Sequence, residues 1–564
     1  LADQCFGGHN DPMQSSAMGQ VRFNKVWNAY MLFYQRASSM EAEKAVYKPT
    51  KPQHPVGVPL PIELANHIVM ENEIFIRVYC LMDPYHSLFV RYLLSMIVDE
   101  QGPRSDAKAK LDKSMIFIAM DTLEQLLSRS REPLGLDAFV TLMFTVIAEV
   151  PKAAYRVMQW FENKPSATRN LILRSPHPAV RSNSIRLIIC SLSKLQDLQK
   201  NADDEDIERE IWKMRYSNSF ENVVRTLESL WSTLHTASRS WDDYFEFLSM
   251  LANFGQYEAG MVLNNGFLLK CLEIVWLDHE DSKRLRRQYA FIIKFMEKGR
   301  RFSYRRLMDL LAYLLARIDL TVPPSQDDKR RTLPDGRYTL TMSEAIFIRP
   351  LGKSNELSFL TTVLTHNSSP PASRNIVTLF VDAEPDAGLM DPICRTLEEG
   401  LRLAPASLCA PFLEATLIFC RRGPDEARIV SLIDFVAKGV DSINDSGGRE
   451  HIAFFTSVMG SRNDRLGLNE AWFLNHLIDM VPDWAPPLLT FPDRGVRNMT
   501  LDVLRQILFS GEADEVDDDW QTRQAEVAKK LVHASINRLR KAYVNVPGSG
   551  IEPRAVESIR TVVE

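Results

Sequence analysis

Most of the chain places apolar residues at the spacing of an amphipathic α-helix. One run carries apolar side chains at i, i+3, i+4, i+7, i+8 and i+11, which form one wide stripe of Tyr85, Leu88, Phe89, Tyr92, Leu93 and Met96. Breaks that contain Pro, Gly or Asp separate most of the further runs, which predict helices over 108–130, 136–161, 180–199, 207–236, 241–252, 261–275, 282–298 and 304–318. The helical pattern resumes near Asp391. The chain after Ile62 is therefore predicted to be mainly α-helical.

Other segments have a different pattern. "NAYMLFY" (Asn28–Tyr34) is apolar on both faces, as in an interior β-strand, and residues 37–61 form a Pro-rich linker. Residues 321–390 are predicted to be an irregular insertion that could contain a small hairpin, with strands at Arg337–Met342, Glu344–Arg349 and Asn375–Val381. Residues 546–564 are expected to be a poorly packed tail.

A weak internal repeat organises the helices. "PHPAVRSNSIRLIICSL" begins at Pro176 and "PDRGVRNMTLDVLRQIL" begins at Pro492. The two share a Val at +4, an Arg at +5 and aliphatic residues at +9, +12 and +16, which are Val180/Val496, Arg181/Arg497, Ile185/Leu501, Ile188/Leu504 and Leu192/Leu508. A Pro at a helix start, followed by a core face at helical spacing, suits one helix of a repeat. The pattern predicts a HEAT- or armadillo-like α-solenoid, with a set of unrelated helical bundles as the alternative.

Composition narrows the class of protein. The net charge of −5 argues against a dominant nucleic-acid-binding surface, because neutralising phosphates needs a basic excess. The seven cysteines are odd in number and form no CxxC, so neither a disulfide framework nor a zinc ribbon is indicated. A reducing intracellular compartment, cytoplasmic or nuclear, fits this usage. No apolar run reaches the roughly 18 residues that a membrane span needs.

Candidate chemistry is sparse. Cys5 and His9 are the closest Cys/His pair in sequence, yet a thiol nucleophile also needs an orienting group and an oxyanion hole, so a structural role is favoured. His86, His366 and His451 lack acidic or Cys neighbours at ligand spacing. No phosphate-binding glycine motif is present. The sequence therefore assigns no catalytic, cofactor-binding or metal-binding residue, and predicts no cofactor.

The opening of the chain resembles the C-terminal end of the catalytic domain of ubiquitin-specific proteases. In that family a "CFGG"-like segment precedes a terminal strand of the type "NAYxLFY", here Cys5–Gly8 and Asn28–Tyr34. The match looks closest to the large fat-facets-like deubiquitinases and their fungal relatives. "LPIELANHIVMENEIF" (Leu60–Phe75) and "SPHPAVRSNSIRLIICSL" (Ser175–Leu192) look like pieces of the helical region that follows their catalytic domain. The specific match covers about the first 36 residues, with weaker similarity to about Leu195.

The resemblance implies that Asn28–Tyr34 is a strand of a papain-like catalytic sheet. In the family the nucleophilic Cys box, the His box and the residue that orients the His all precede this strand, and none of them is present here. Cys5 and His9 therefore inherit no catalytic role, and the chain as given is expected to be inactive. Its start at Leu1 rather than Met suggests a piece of a longer protein.

The sequence thus predicts the C-terminal scaffold part of a large cysteine deubiquitinase, a thiol-dependent ubiquitinyl hydrolase. The alternative is a non-enzymatic α-solenoid adaptor; a helical-repeat RNA binder is disfavoured by charge. Expected partners are ubiquitin and ubiquitinated proteins through the intact enzyme, and other proteins on the scaffold, with no nucleic acid and no membrane. The chain is predicted to divide into a catalytic-domain remnant (1–36), a linker (37–61), a helical-repeat region (62–320), the insertion (321–390), a second helical-repeat region (391–545) and a tail (546–564).

Overall fold

The structure, a computed structural model, consists mainly of helices in the residues that it describes. These are residues 9–10, 23–24, 37–38, 41, 61–75, 84–99, 106–130, 133, 135–201, 207–237, 240–278, 283–290, 305–326, 329–349, 357–405, 408–423, 425–443, 446–459, 476, 478–509, 518–545, 557 and 560. The chain divides into two compact units, Leu1–Cys80 and Leu81–Glu564.

The described residues of the first unit include two short antiparallel strands and helix α1, and Ala37, Ser38 and Glu41 at the start of the predicted linker are also helical. Strand β1 (His9–Asn10) pairs with β2 (Phe23–Asn24), with His9 opposite Asn24, and helix α1 spans Ile62–Phe75. The predicted strand at Asn28–Tyr34, the Cys5–Gly8 segment and most of the predicted linker lie outside the described residues. The first unit also includes α1, which the sequence analysis placed in the helical-repeat region.

The second unit is built from helices joined by short connections. In chain order they are α2 Pro84–Asp99, α3 Asp106–Thr122, α4 Leu136–Glu149, α5 Pro151–Asn163, α6 Pro165–Thr168, α7 Pro178–Asn201, α8 Ile207–Leu230, α9 Trp241–Ala252, α10 Gln256–Asn264, α11 Phe267–Val275, α12 Lys283–Gln288, α13 Arg305–Leu315, α14 Met342–Ile348, α15 Ser358–His366, α16 Pro370–Ala387, α17 Met390–Leu403, α18 Ala410–Arg422, α19 Glu426–Gly439, α20 Gly448–Met459, α21 Val481–Leu489, α22 Arg494–Phe509 and α23 Asp518–Asn545. Single π- or 3₁₀-turns extend several of them, as at Leu123–Leu127 and Arg169–Arg174.

These helices form two rows. In one row each helix contacts the next, in the order α5, α7, α9, α13, α16, α18, α20 and α22. The second row runs in the same way through α11, α14, α15, α17, α19, α21 and α23, and the rows contact each other through pairs such as α16 with α17 and α18 with α19. Neighbour-to-neighbour stacking of this kind is the arrangement of an α-solenoid. The predicted helical-repeat fold is therefore confirmed.

Two predicted helices are each split in two. The predicted helix over 136–161 ends at Glu149, because Pro151 has no amide hydrogen and forces Val150 into an extended conformation (φ −103°, ψ 106°). The predicted helix over 261–275 is interrupted at Gly266, whose φ of 74° lies in the left-handed region. A new helix begins after each break.

The strands predicted within residues 321–390 are wrong at two of three positions. Glu344–Arg349 falls mostly within α14, which begins with a reciprocal capping box between Thr341 and Glu344. Asn375–Val381 lies in α16, where Ile376, Val377, Phe380 and Val381 are buried and Leu379 is partly buried. Arg337–Thr341 makes only isolated bridges, such as Ile318 with Tyr338, and no paired ribbon among the described residues, and Met342 is the first residue of α14. Burial at helical spacing and a helix cap outweigh the β-propensity of these stretches.

The internal repeat has the same local geometry in both copies. Val180, Ile185 and Ile188 are buried, as predicted. The Arg at +5 donates in each copy to the carbonyl oxygen of the residue before the first Pro, Arg181 Nη1 to Ser175 O at 3.0 Å and Arg497 Nη1 to Phe491 O at 2.8 Å. The repeated arginine therefore fixes the turn that leads into a helix of the first row.

Arg181 also pairs with a largely buried carboxylate of the next helix in the row, whereas Arg497 makes no ion pair with the residues that the structure describes. Arg181 Nε donates to Asp243 of α9 at 2.6 Å, and both side chains are largely buried. Arg181→Ala leaves that carboxylate without its partner, so we expect the free energy of opening α7 and α9 to fall by about 2–3 kcal/mol. Arg497→Ala removes bonds to carbonyl oxygens alone and should lower the opening free energy of α22 by about 1 kcal/mol. Hydrogen–deuterium exchange measures both, and equal losses would contradict the assignment.

Candidate functional site

Helix α2 has apolar side chains on two opposite faces. One face is buried and packs on α3 and α4 through Val90, Leu94 and Ile97. The side chains on the other face are exposed. A helix with apolar residues all round is normally enclosed on all sides. The second face of α2 therefore has the composition of a core, although its side chains are exposed.

The exposed face coincides with the apolar run that the sequence shows most clearly. We call it the α2 stripe, and its members are exposed by 44% (Met96) to 74% (Tyr85), with Leu88, Phe89 and Tyr92 between those limits. Leu93, the other residue of the run, is partly buried against the core. The sequence predicted the helical period of this run correctly, but it could not predict which side of α2 faces the core.

The α2 stripe lies on the first helix that the structure describes in the Leu81–Glu564 unit. The end helices of a solenoid usually carry a polar outer face, because no neighbour covers them. Large contiguous apolar patches on a protein surface mark binding sites. From Tyr85 to Met96 the stripe runs for about 16 Å, at a rise of about 1.5 Å per residue, which suits a helix of a binding partner lying across it.

Helix α1, in the other unit, is also apolar and exposed. Ile62, Val69, Met70 and Ile74 are all more than half exposed. This helix lies within the Leu60–Phe75 segment that the sequence analysis singled out. Exposed apolar helices are thus present in each of the two units.

The histidines singled out by sequence fall in different places. His9 lies in β1, while Cys5 lies outside the described residues. His86 Nε2 is 3.1 Å from Thr122 Oγ1, and His366 is the last residue of α15. His451 is buried in α20. Within the second unit, His86, His366 and His451 lie on three different helices, α2, α15 and α20.

The fold does create a Cys–His contact that the sequence did not reveal. Cys409 Sγ lies 3.9 Å from His451 Nδ1, across 42 positions of sequence. Burial raises the pKa of the Cys409 thiol to about 11, and burial lowers the pKa of His451. His451 Nδ1 also donates to Gly447 O at 2.7 Å, so this nitrogen cannot accept the thiol proton. The Cys409 thiol stays protonated and is therefore not a nucleophile, and His451 Nδ1 already donates its hydrogen to a carbonyl and is therefore not a base for that thiol. The pair has a structural role.

Two other kinds of site were sought in the described part of the chain. No group of three or more His, Cys, Asp or Glu side chains there could hold a metal ion. No single described helix is long and apolar enough to cross a membrane, although α4 and the Lys152–Asn163 part of α5, bent by 119° to each other, together have the necessary length and composition.

Comparison with models of known protein families shows which family the chain belongs to. A family model described as a domain of unknown function, DUF3517, matches residues 165–564. The chain belongs to the DUF3517 family. The match to DUF3517 starts at α6 and runs through α23, so it includes both copies of the internal repeat. The α2 stripe and α1 precede the DUF3517 match.

Other comparisons give distant likenesses. No curated protein matches this DUF3517 chain. Among solved structures it is similar to an engineered protein (14% identity, TM-score 0.29, 85% of this chain and 95% of that one) and to a circular tandem repeat protein with a novel repeat topology (12%, 0.25, 86% and 95%). It is also similar to SYS-1 (11%, 0.19, 90% and 89%). At these TM-scores the likenesses add nothing to the helical array described above.

Proposed function

We propose that this DUF3517 protein is the C-terminal scaffold part of a large cysteine deubiquitinase, which removes ubiquitin from protein conjugates. In the proposal, Asn28–Tyr34 is the last strand of a papain-like catalytic domain, and the helices form a HEAT- or armadillo-like array beside it. The catalytic thiolate, which cleaves the isopeptide bond after the C-terminal glycine of ubiquitin, then belongs to sequence upstream of Leu1. Support for this part is the resemblance of Cys5–Gly8 and Asn28–Tyr34 to that family.

One structural observation supports the role as a scaffold, namely the exposed α2 stripe. Five large apolar side chains on one helix face provide the aromatic and aliphatic anchors that dominate protein interfaces. Their spacing suits an amphipathic helix of a protein partner. The partner would be held at the start of the helical array, close in sequence to the proposed catalytic strand. The scaffold would thereby raise the local concentration of conjugates near the catalytic site.

The described residues themselves offer no thiol suited to the reaction. Among the described cysteines, Cys271, Cys394, Cys409 and Cys420 are buried and Cys190 is partly buried, and burial raises the pKa of all five thiols. A protonated thiol does not attack a carbonyl carbon, because the thiolate is the nucleophile. The proposal therefore gives these residues a packing role.

The test uses the protein in its native length, with any sequence that precedes Leu1. We expect Leu88→Ser with Phe89→Ser to slow the cleavage of ubiquitinated protein conjugates about tenfold, because loss of two interface anchors weakens partner binding by about 1–2 kcal/mol. Hydrolysis of a ubiquitin C-terminal fluorophore should be unchanged, since that substrate bypasses the scaffold. The matched control is Leu403→Ser with Leu408→Ser, which removes two comparably exposed leucines elsewhere.

The outcomes separate the parts of the proposal. Absence of ubiquitin hydrolysis by the native-length protein would contradict the deubiquitinase assignment and leave the α-solenoid adaptor. Hydrolysis that the stripe and control variants slow equally would show that the stripe does not bind conjugates. Residues 1–564 alone should release no fluorophore, and turnover that Cys5→Ala abolishes would overturn the assignment of Cys5 as non-catalytic.

A further inference from the structure

Helices α5 and α8 contact each other, and the side chain of one arginine spans the contact. The guanidinium of Arg215, in α8, lies over the ring of Tyr155, in α5, with Cζ 4.6 Å from the ring centroid. It also lies over the ring of Trp212, one turn earlier in α8, at 4.7 Å. A guanidinium that stacks on aromatic rings keeps the N–H groups in its plane available for hydrogen bonds. The two rings therefore hold Arg215 in place without using its donors.

The donors of Arg215 are not used within the described part of the chain. Arg215 is only partly exposed, yet it makes no hydrogen bond and no ion pair with a described residue. A helical ion pair forms between positions three or four residues apart. The residues at those distances from Arg215 carry no charge, and they are Ile211, Trp212, Asn218 and Ser219. Because a cation that is partly withdrawn from water usually has a partner, an acceptor from another molecule suits this position.

Two carboxylates that approach the neighbours of Arg215 already have hydrogen-bond donors. Glu208 Oε1 accepts from Trp212 Nε1 at 3.2 Å. Glu258 Oε1 accepts from the hydroxyl of Tyr216, the residue after Arg215, at 2.6 Å. These carboxylates therefore stabilise the side chains beside Arg215, and Arg215 itself is left without a counter-charge among the described residues.

Further cations lie beside Arg215 on α5. The guanidinium of Arg156 lies 6.0 Å from the centroid of the same Tyr155 ring, and its Nη1 donates to the neutral Gln159 side chain at 2.7 Å. Lys152, one turn earlier, is exposed. Two guanidinium groups on one ring repel each other, and an anion between them relieves that repulsion. The charge of this surface therefore favours an acidic partner.

Apolar side chains of α8 are exposed next to Arg215. Ile207, Ile211 and Met214 are exposed by 79%, 36% and 57%. They lie at i, i+4 and i+7, and Arg215 follows Ile211 by one turn, so all four side chains share one side of the helix. Arginine, methionine and aromatic residues are the side chains that protein interfaces favour. The combination is thus typical of an interface and not of a solvated helix face.

We propose that this side of α5 and α8 binds a segment of a protein partner that carries a carboxylate beside apolar side chains. We call it the Arg215 surface, and it consists of Tyr155, Arg156, Ile211, Met214 and Arg215. The carboxylate would accept two hydrogen bonds from the N–H groups in the plane of the Arg215 guanidinium. The apolar side chains of the segment would contact Ile211 and Met214. The proposal is independent of the deubiquitinase assignment.

Selection from a phage-displayed library of short random peptides tests the Arg215 surface. The protein is immobilised, and the Arg215→Gln variant removes peptides that bind elsewhere. We expect the enriched peptides to contain Asp or Glu beside apolar residues. Fluorescence anisotropy then compares the most enriched peptide with a copy in which amides replace its carboxylates. Loss of the charged, bidentate pair should weaken binding about tenfold or more, whether the carboxylate or Arg215 is replaced.

Two further variants separate the position of the charge from its amount. Arg225→Gln is the matched control, because it removes the same charge from an exposed arginine of α8 that pairs with Glu221 at 2.5 Å. It should leave peptide binding unchanged. Tyr155→Leu keeps the charge of Arg215 but removes a ring that holds it, so binding should weaken about threefold. Circular dichroism checks that each variant is folded, and the amide-substituted peptide tests the carboxylate with the protein unaltered.

Each other result contradicts the proposal. No enrichment relative to Arg215→Gln, or enrichment of peptides that lack a carboxylate, would show that no acidic segment binds there. Equal weakening by Arg225→Gln would mean that the net charge of the protein, and not Arg215, attracts the peptide. An amide-substituted peptide that binds as tightly as the acidic one would exclude the carboxylate. Failure here would leave the scaffold proposal untouched, because the α2 stripe shares no residue with the Arg215 surface and its test measures cleavage of conjugates.

Discussion

Glu344→Ala should lower the free energy of opening α14 by about 3–5 kcal/mol, because the substitution leaves a buried guanidinium without its counter-charge. Arg330 and Glu344 are 2% and 1% exposed, and Arg330 Nη2 lies 2.5 Å from Glu344 Oε1. The same carboxylate accepts from the Thr341 amide and completes the capping box of α14. The variant thus loses an ion pair and half of a helix cap at once.

Hydrogen–deuterium exchange of the α14 amides measures this loss. Asp502→Ala is the control, since the Arg505–Asp502 pair is about two-thirds exposed on both sides and should contribute under about 0.5 kcal/mol. The double variant Arg330→Met with Glu344→Leu removes both charges and should recover much of the loss, because no buried charge remains unpaired. A double variant as unstable as Glu344→Ala would mean that the cap, and not the orphaned charge, dominates.

Trp484→Ala is the second substitution with a large expected effect, about 3–5 kcal/mol on the stability of α20 and α21. Trp484 is fully buried in α21 and stacks on Phe455 of α20, with ring centroids 4.4 Å apart and planes inclined by 15°. Removing the indole leaves a large cavity between the two rows of helices and ends the aromatic contact.

Trp484→Phe separates packing from hydrogen bonding at this position. The indole Nε1 is buried and has no hydrogen-bond partner in the part of the chain that the structure describes. Phenylalanine keeps a ring against Phe455 and removes the unsatisfied donor, so we expect a net change within about 1 kcal/mol. Thermal unfolding and amide exchange of α20 and α21 would measure both variants. Equal losses for Phe and Ala would show that Nε1 does have an acceptor.

The sequence by itself determined that the chain is mainly helical and where several of its helices lie. The predicted helix over 241–252 has the bounds of α9, Trp241–Ala252, and Val180, Ile185 and Ile188 are buried as their spacing requires. Helix bounds and burial of this kind depend on side chains three or four positions apart, and the spacing of apolar residues along the sequence shows these directly. The arginine shared by the two repeat copies was also visible, though its bond to the preceding carbonyl was not. The resemblance at Cys5–Gly8 and Asn28–Tyr34 stays a prediction, since those residues lie outside the described part.

Only the tertiary structure decided which faces are covered and which distant residues meet. The α2 stripe and the buried face of α2 are equally apolar, so neither could be assigned to the core without knowing where α3 and α4 pack. Asn375–Val381 has the residues of a strand, and burial against neighbouring helices makes it part of α16. Cys409 meets His451 across 42 positions, and Arg215 of α8 lies over Tyr155 of α5. Contacts at such separations depend on how helices stack, which periodicity within one helix does not encode.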